Sequence, residues 1–175
     1  LPAHAGQPIT DDELLEIFLE EVREVVVHGK AALQVLDARP DDLGEQTALR
    51  RAFHTLKGSS RMVGLHGFGE AAWSLEQLLT VWLTEQNSLP APLLQLAGQA
   101  LQGFDGWATD IAAGDASAWQ ASAFIRAAEA LRAGTELPLE LPVTVAAPVA
   151  AKDAQPGQHL PAALPGQEEG MLWEH

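Results

Sequence analysis

The chain has no cysteine, which excludes disulfides and thiolate chemistry and favours an intracellular compartment over an oxidising one. Tyrosine is also missing. Valine and isoleucine are modest outside a few clusters, while alanine and leucine dominate, a composition that leans toward helix. No apolar run reaches the roughly 18 residues needed to span a bilayer. The first ten residues carry neither a basic start nor an apolar stretch, so they do not read as a signal peptide. No methionine stands at position 1, and the chain reads as an excerpt from something longer. The expected location is cytoplasmic, with no membrane contact by this fragment. Basic residues are scarce: 10 Lys+Arg stand against 24 Asp+Glu, for a formal charge of −14. That balance argues against nonspecific nucleic-acid binding.

What is present suffices for one domain and a tail. The hydrophobic fraction is 47% of 175 residues, enough for a core. Residues 1–9 read as a polar leader. Thr10-Asp11-Asp12-Glu13 reads as a capping box. A first helix follows, with an apolar stripe from Leu14 to Leu36 and an outer face of Glu13, Glu16, Glu20 and Glu24; it stops before Pro40. A second helix is expected from about Asp42 to Val63, with Leu49, Ala52, Phe53, Leu56, Ser60 and Val63 inward. Gly64 and Gly67 mark a break. A third covers roughly Phe68 to Glu85. The fourth opens at Ser88-Leu89-Pro90 with Ser88 as its cap and closes at Gly114. Asp115 would cap a fifth helix over 115–133, with Trp119, Phe124 and Leu131 inward. The tryptophans at helical spacing read as core, with Trp73 and Trp107 partly exposed. Six of the eleven prolines fall in 135–175, which reads as a linker or disordered tail. Within it, residues 137–145 are apolar enough to lie as an extended strip on the bundle. The fold class expected is all-α: an antiparallel up-down four-helix bundle (core 10–113) with an additional C-terminal helix and an extended Pro/Ala-rich tail.

Against this acidic background stands one basic island. Residues 50–61 hold four of the ten Lys+Arg residues, namely Arg50, Arg51, Lys57 and Arg61, and no carboxylate. A positive island on a negative chain implies a negatively charged group held there. His54 at its centre suggests a phosphoryl bonded to imidazole. At about 100° per residue His54 lies roughly 140° from the apolar stripe of its helix, so it projects away from the core. Arg50, Lys57 and Arg61 share its flank. Gly58 lies one turn beyond it, and glycine inside a helix costs about 1 kcal/mol against alanine. Such a cost points to close approach by another backbone or a partner surface. A lone histidine is more often a surface or packing residue, but its place off the stripe removes the core reading. The flanking cations disfavour a metal site, and none of the other histidines stands at ligand spacing with it.

The run His54-Thr-Leu-Lys57-Gly58-Ser59-Ser60-Arg-Met-Val-Gly64 resembles the signature of histidine phosphotransfer (HPt) domains, H-x-x-K-G followed six residues later by a second glycine. The resemblance covers residues 10–113 and has the flavour of chemotaxis-type histidine kinases, among them the multi-HPt kinases of type IV pilus (twitching motility) systems. It implies that His54 is phosphorylated on Nε2, that Lys57 neutralises the phosphoryl oxygens, and that Gly58 leaves room for a partner. Arg50, Arg61 and Ser59 would join the partner-binding flank. Ser60, on the stripe, has close helix packing as its plain explanation. The resemblance also implies a glutamate on the third helix that holds the other ring nitrogen. Glu76 stands at that position, roughly 80° from the stripe of its helix. Trp73 stands where such domains often have a second histidine.

The implied partners are a response-regulator receiver domain and a histidine kinase catalytic domain. The chain shows neither a G-x-x-x-x-G-K-[ST] loop nor a kinase glycine-rich loop. It is therefore expected to be a phosphocarrier rather than an enzyme, with Mg2+ and ATP supplied by partner domains. The competing reading is a helical interaction module that kept the fold without the phosphate; intact His54, Lys57 and Gly58 argue against it.

Overall fold

A computed structural model describes residues 8–85 and 88–143. The chain divides after Pro142, and the description below concerns the unit ending there. The expected leader over 1–7, His4, His159, His175 and the tail from residue 144 lie outside the described residues. Those residues form five helices and no strand: α1 Asp11–Ala38, α2 Leu43–Met62, α3 His66–Glu85, α4 Ala91–Ala112 and α5 Ala121–Arg132.

Local chemistry accounts for most of the ends. Thr10 accepts from the Glu13 amide, and Glu13 reaches back to the Thr10 amide at 2.8 Å, closing the capping box. Replacing Thr10 by alanine is expected to cost about 1 kcal/mol in urea unfolding, with Thr10→Ser retaining most of it. Asp42 caps α2 through the Glu45 amide. Gly64, at φ 79°, turns the chain out of α2, and the Leu65 amide returns to the Ser60 carbonyl.

Three expected boundaries differ. α3 starts at His66, so Gly67 belongs to its first turn instead of the break. α4 is preceded by Pro90 and has no side-chain cap; Pro92 presets its first turn. Leu89, not Ser88, anchors this entry: it is buried, and its amide donates to the Pro40 carbonyl. α5 starts at Ala121, not at Asp115. The intervening segment is held as a turn because the Trp119 indole N–H donates to Asp110 at 2.7 Å and its ring stacks on Trp107.

The helices pack in the order α4–α1–α2–α3–α5, with α5 also touching α4. The fifth helix thus closes the side between α3 and α4 and completes the bundle. Phe18, Phe68, Phe104, Trp107 and Phe124 form the centre; the Phe104 ring lies 4.8 Å from both Phe68 and Phe124. Trp107 is buried, contrary to expectation, whereas Trp73 is 44% exposed. Beyond Gly134 the described chain forms neither helix nor strand: Leu139 is buried and Leu141 packs over Gly103. Of the apolar strip, Leu139 and Leu141 therefore pack on the bundle, while Leu137 is exposed.

Candidate functional site

The site is built where α2 and α3 come closest. A Cβ on Gly69 would meet the Ser60 hydroxyl at 2.9 Å and the Lys57 carbonyl at 3.5 Å. The glycine lets the two backbones approach, and buried Ser60 satisfies its hydroxyl on the Lys57 carbonyl. Glu76 follows Gly69 by two helical turns, about 10 Å along α3. Because the helices are antiparallel, it arrives level with His54 and Lys57 of α2. The His54 side chain is 59% exposed and the Glu76 side chain only 10%.

One carboxylate gathers three basic side chains. The His54 Nδ1 and Glu76 Oε1 are 2.8 Å apart. Lys57 Nζ lies 2.7 Å from Oε2, and an Arg50 guanidinium nitrogen lies 3.9 Å from Oε1. Burial by itself pushes the Glu76 carboxyl up, but the hydrogen bonds and charges of Lys57 and His54 outweigh it. The group is held below the usual carboxylate range. An ionised carboxylate only accepts, so Nδ1 must carry the proton and donate. In the neutral ring that leaves a lone pair on Nε2, the nitrogen facing away from Glu76. The arrangement presents an oriented nucleophile on a positive surface.

The structure brings together His54, Glu76, Lys57 and Arg50. Lys57 is half-buried with its ammonium on Glu76, whereas the resemblance placed it at the phosphoryl oxygens. Gly58 is exposed, and among the described residues a Cβ there would meet nothing within 4 Å. Among the described residues no neighbouring backbone explains that glycine. Arg61 is exposed two turns from His54, beside a cleft of about 240 Å³ that also holds Trp73 and Arg132. Ser59 points toward α1, where its hydroxyl donates to Glu21.

Three residues near these carry little or no signal in the sequence. Glu21 departs from the spacing of the outer glutamates, which was its one signal. Gly69 stands in the first turns of a helix, where alanine would be the better helix former. Met62, 81% exposed, stands one turn beyond Gly58, and nothing in sequence separates it from a core methionine. Among the described residues no three His, Cys, Asp or Glu side chains group to hold a metal ion. No described helix is long and apolar enough to cross a membrane.

No curated protein and no solved structure matches the chain. The family model described as Hpt domain matches residues 13–134, a span that includes α5 and so exceeds the 10–113 on which the resemblance was first drawn. With an imidazole held on a buried glutamate beside the H-x-x-K-G run and a match over most of its length, the chain belongs to the Hpt domain family, the histidine phosphotransfer modules of phosphorelays.

Proposed function

We propose that this chain carries a phosphoryl group on His54 Nε2, taken from a histidine kinase catalytic domain and passed to the aspartate of a response-regulator receiver. The observation that carries the reading is the His54–Glu76 pair: a buried carboxylate holds one ring nitrogen while the ring itself stands in solvent. In transfer to a receiver, an aspartate oxygen attacks phosphorus as the P–N bond breaks. The bonding pair returns to Nε2, and the Nδ1 proton stays on the ring against Glu76, so neutral imidazole leaves. Transfer is then chiefly a matter of in-line positioning and charge stabilisation.

Mg2+ and ATP belong to the partner domains in this reading, since the cations around His54 would repel a dication. The receiver would dock on the His54 face over Gly58, with Arg61 and Arg50 at its edge. Met62, one turn beyond Gly58, is an exposed apolar side chain open to the same partner. The chemotaxis-type kinase of a type IV pilus system is the parent that fits the motif, and the cytoplasm the compartment.

The test is phosphate uptake from kinase core domains and discharge to purified receivers, comparing the native chain with Gly58→Ala. Alanine is expected to stabilise α2 by about 0.5–1 kcal/mol, because the added methyl meets open space. Discharge to the receiver is expected to slow. A stabilised variant with unchanged discharge would remove Gly58 from the docking surface. Failure of every receiver to discharge a labelled chain would remove the carrier role.

A further inference from the structure

We propose that Arg50, and not Lys57, is the side chain that contacts the phosphoryl oxygens on His54. The inference rests on the carrier reading and deepens it. Lys57 is committed elsewhere: its ammonium lies 2.7 Å from Glu76 Oε2, and its side chain is 16% exposed. Drawing it out to Nε2 would take the nearest cation from a carboxylate that is itself almost covered. A buried charge that loses its partner is strongly disfavoured.

Arg50 is differently placed. Its guanidinium stands 3.9 Å from Glu76 Oε1, the same oxygen that holds the His54 ring, and its side chain is 36% exposed. It shares that carboxylate oxygen with the imidazole and stands one helical turn from His54 on α2, and its long contact with Glu76 is weak. Swinging outward leaves Glu76 paired with Lys57 and His54. The planar guanidinium matches phosphoryl oxygens with two parallel N–H groups, which an ammonium cannot do. The remaining nearby cations lack this placement: Arg51 and Arg61 are exposed and neither pairs with Glu76.

The division of labour is that Lys57 keeps Glu76 ionised and in place, and Arg50 meets the charge on the incoming group. With phosphoramidate as donor, the Nε2 lone pair attacks phosphorus, the donor P–N bond breaks and its electron pair leaves on ammonia. The product ring keeps its Nδ1 proton against Glu76. The phosphoryl dianion then lies on the Arg50 flank.

The experiment treats the full chain with phosphoramidate and follows the rate of phosphohistidine formation by 31P NMR against donor concentration, with kcat the limiting single-turnover rate and KM the half-saturating donor concentration. The 15N shifts of His54 report its tautomer. Arg50→Gln is expected to lower kcat/KM about tenfold, chiefly through a higher KM, with the tautomer unchanged. Arg50→Lys should recover part of the loss. Lys57→Gln is expected to leave KM near the native value, to lower kcat and to mix the two tautomers. Circular dichroism of each variant shows whether the bundle persists; Arg50→Lys keeps the test decisive should Arg50→Gln unfold. A native KM in Arg50→Gln, or in Arg50→Lys where that variant alone folds, would overturn the inference while His54-dependent labelling stands. Labelling that survives His54→Gln, or none in the native chain, would overturn the carrier reading and this inference with it.

Discussion

His54→Gln is expected to abolish phosphate uptake and leave the bundle folded. Glutamine fills much of the same volume and can still donate from its amide to Glu76, but an amide nitrogen has no available lone pair to attack phosphorus. The loss should therefore be complete within detection, in contrast to the graded losses expected of neighbouring substitutions. The fold is insulated because the His54 side chain is 59% exposed and, among the described residues, hydrogen-bonds Glu76 alone. Substitutions at such positions usually change stability by no more than about 0.5 kcal/mol. The measurement is acid-labile, base-stable label after incubation with a kinase core domain, alongside thermal unfolding. Label of that character on His28 or His66 in the variant would show that the site has been misassigned.

Glu76→Ala is expected to reduce phosphorylation about 10- to 100-fold, the scale seen when a group that orients a functional histidine is removed. Without the acceptor, Nδ1 and Nε2 compete for the ring proton, and the ring loses its fixed direction. Lys57 and Arg50 are released at the same time, which increases positive charge beside the ring. Glu76→Gln separates these effects. Its amide oxygen still accepts from Nδ1, so orientation is kept while the negative charge is lost, and its rate should fall between alanine and native. Equal rates for all three would dismiss Glu76 as an orienting group.

Glu76 also has a pH signature. Its carboxyl is lowered in the folded state, so the unfolded chain binds its proton first as pH falls. The stability this contributes is complete above the ordinary unfolded carboxylate value of about 4.3 and is lost as pH drops through the lower folded value. Thermal unfolding between pH 7 and pH 3 should show a shallower acid limb in Glu76→Gln than in the native chain. Parallel limbs would mean that the carboxylate is not held by Lys57 and His54 in solution.

Helix positions were legible where side chains acted on their own backbone. Thr10 with Glu13, the Asp42 cap and Gly64 are each decided within four residues of chain. The expected caps at Ser88 and Asp115 failed for a common reason. Leu89 is tied to Pro40 and Trp119 to Asp110 and Trp107, and these contacts are not encoded in the local run. Trp107 read as partly exposed because helical period alone cannot foresee that α5 covers that side of α4. The outward direction of His54 was available from 100° geometry, since it depends only on where the stripe of one helix lies.

The sequence by itself determined the helical class, the outward-facing candidate histidine and the cluster of cations around it, because periodicity, residue chemistry and charge act along a single helix. Only the tertiary structure decided how those charges are shared. The approach of α2 to α3 over Gly69 and Ser60 carries Glu76 to His54, sets Lys57 against that carboxylate at 2.7 Å and leaves Arg50 at 3.9 Å from it. That outcome depends on distances between helices, and a carboxylate's preference among several cations is set by burial and reach, neither of which is written in residue spacing.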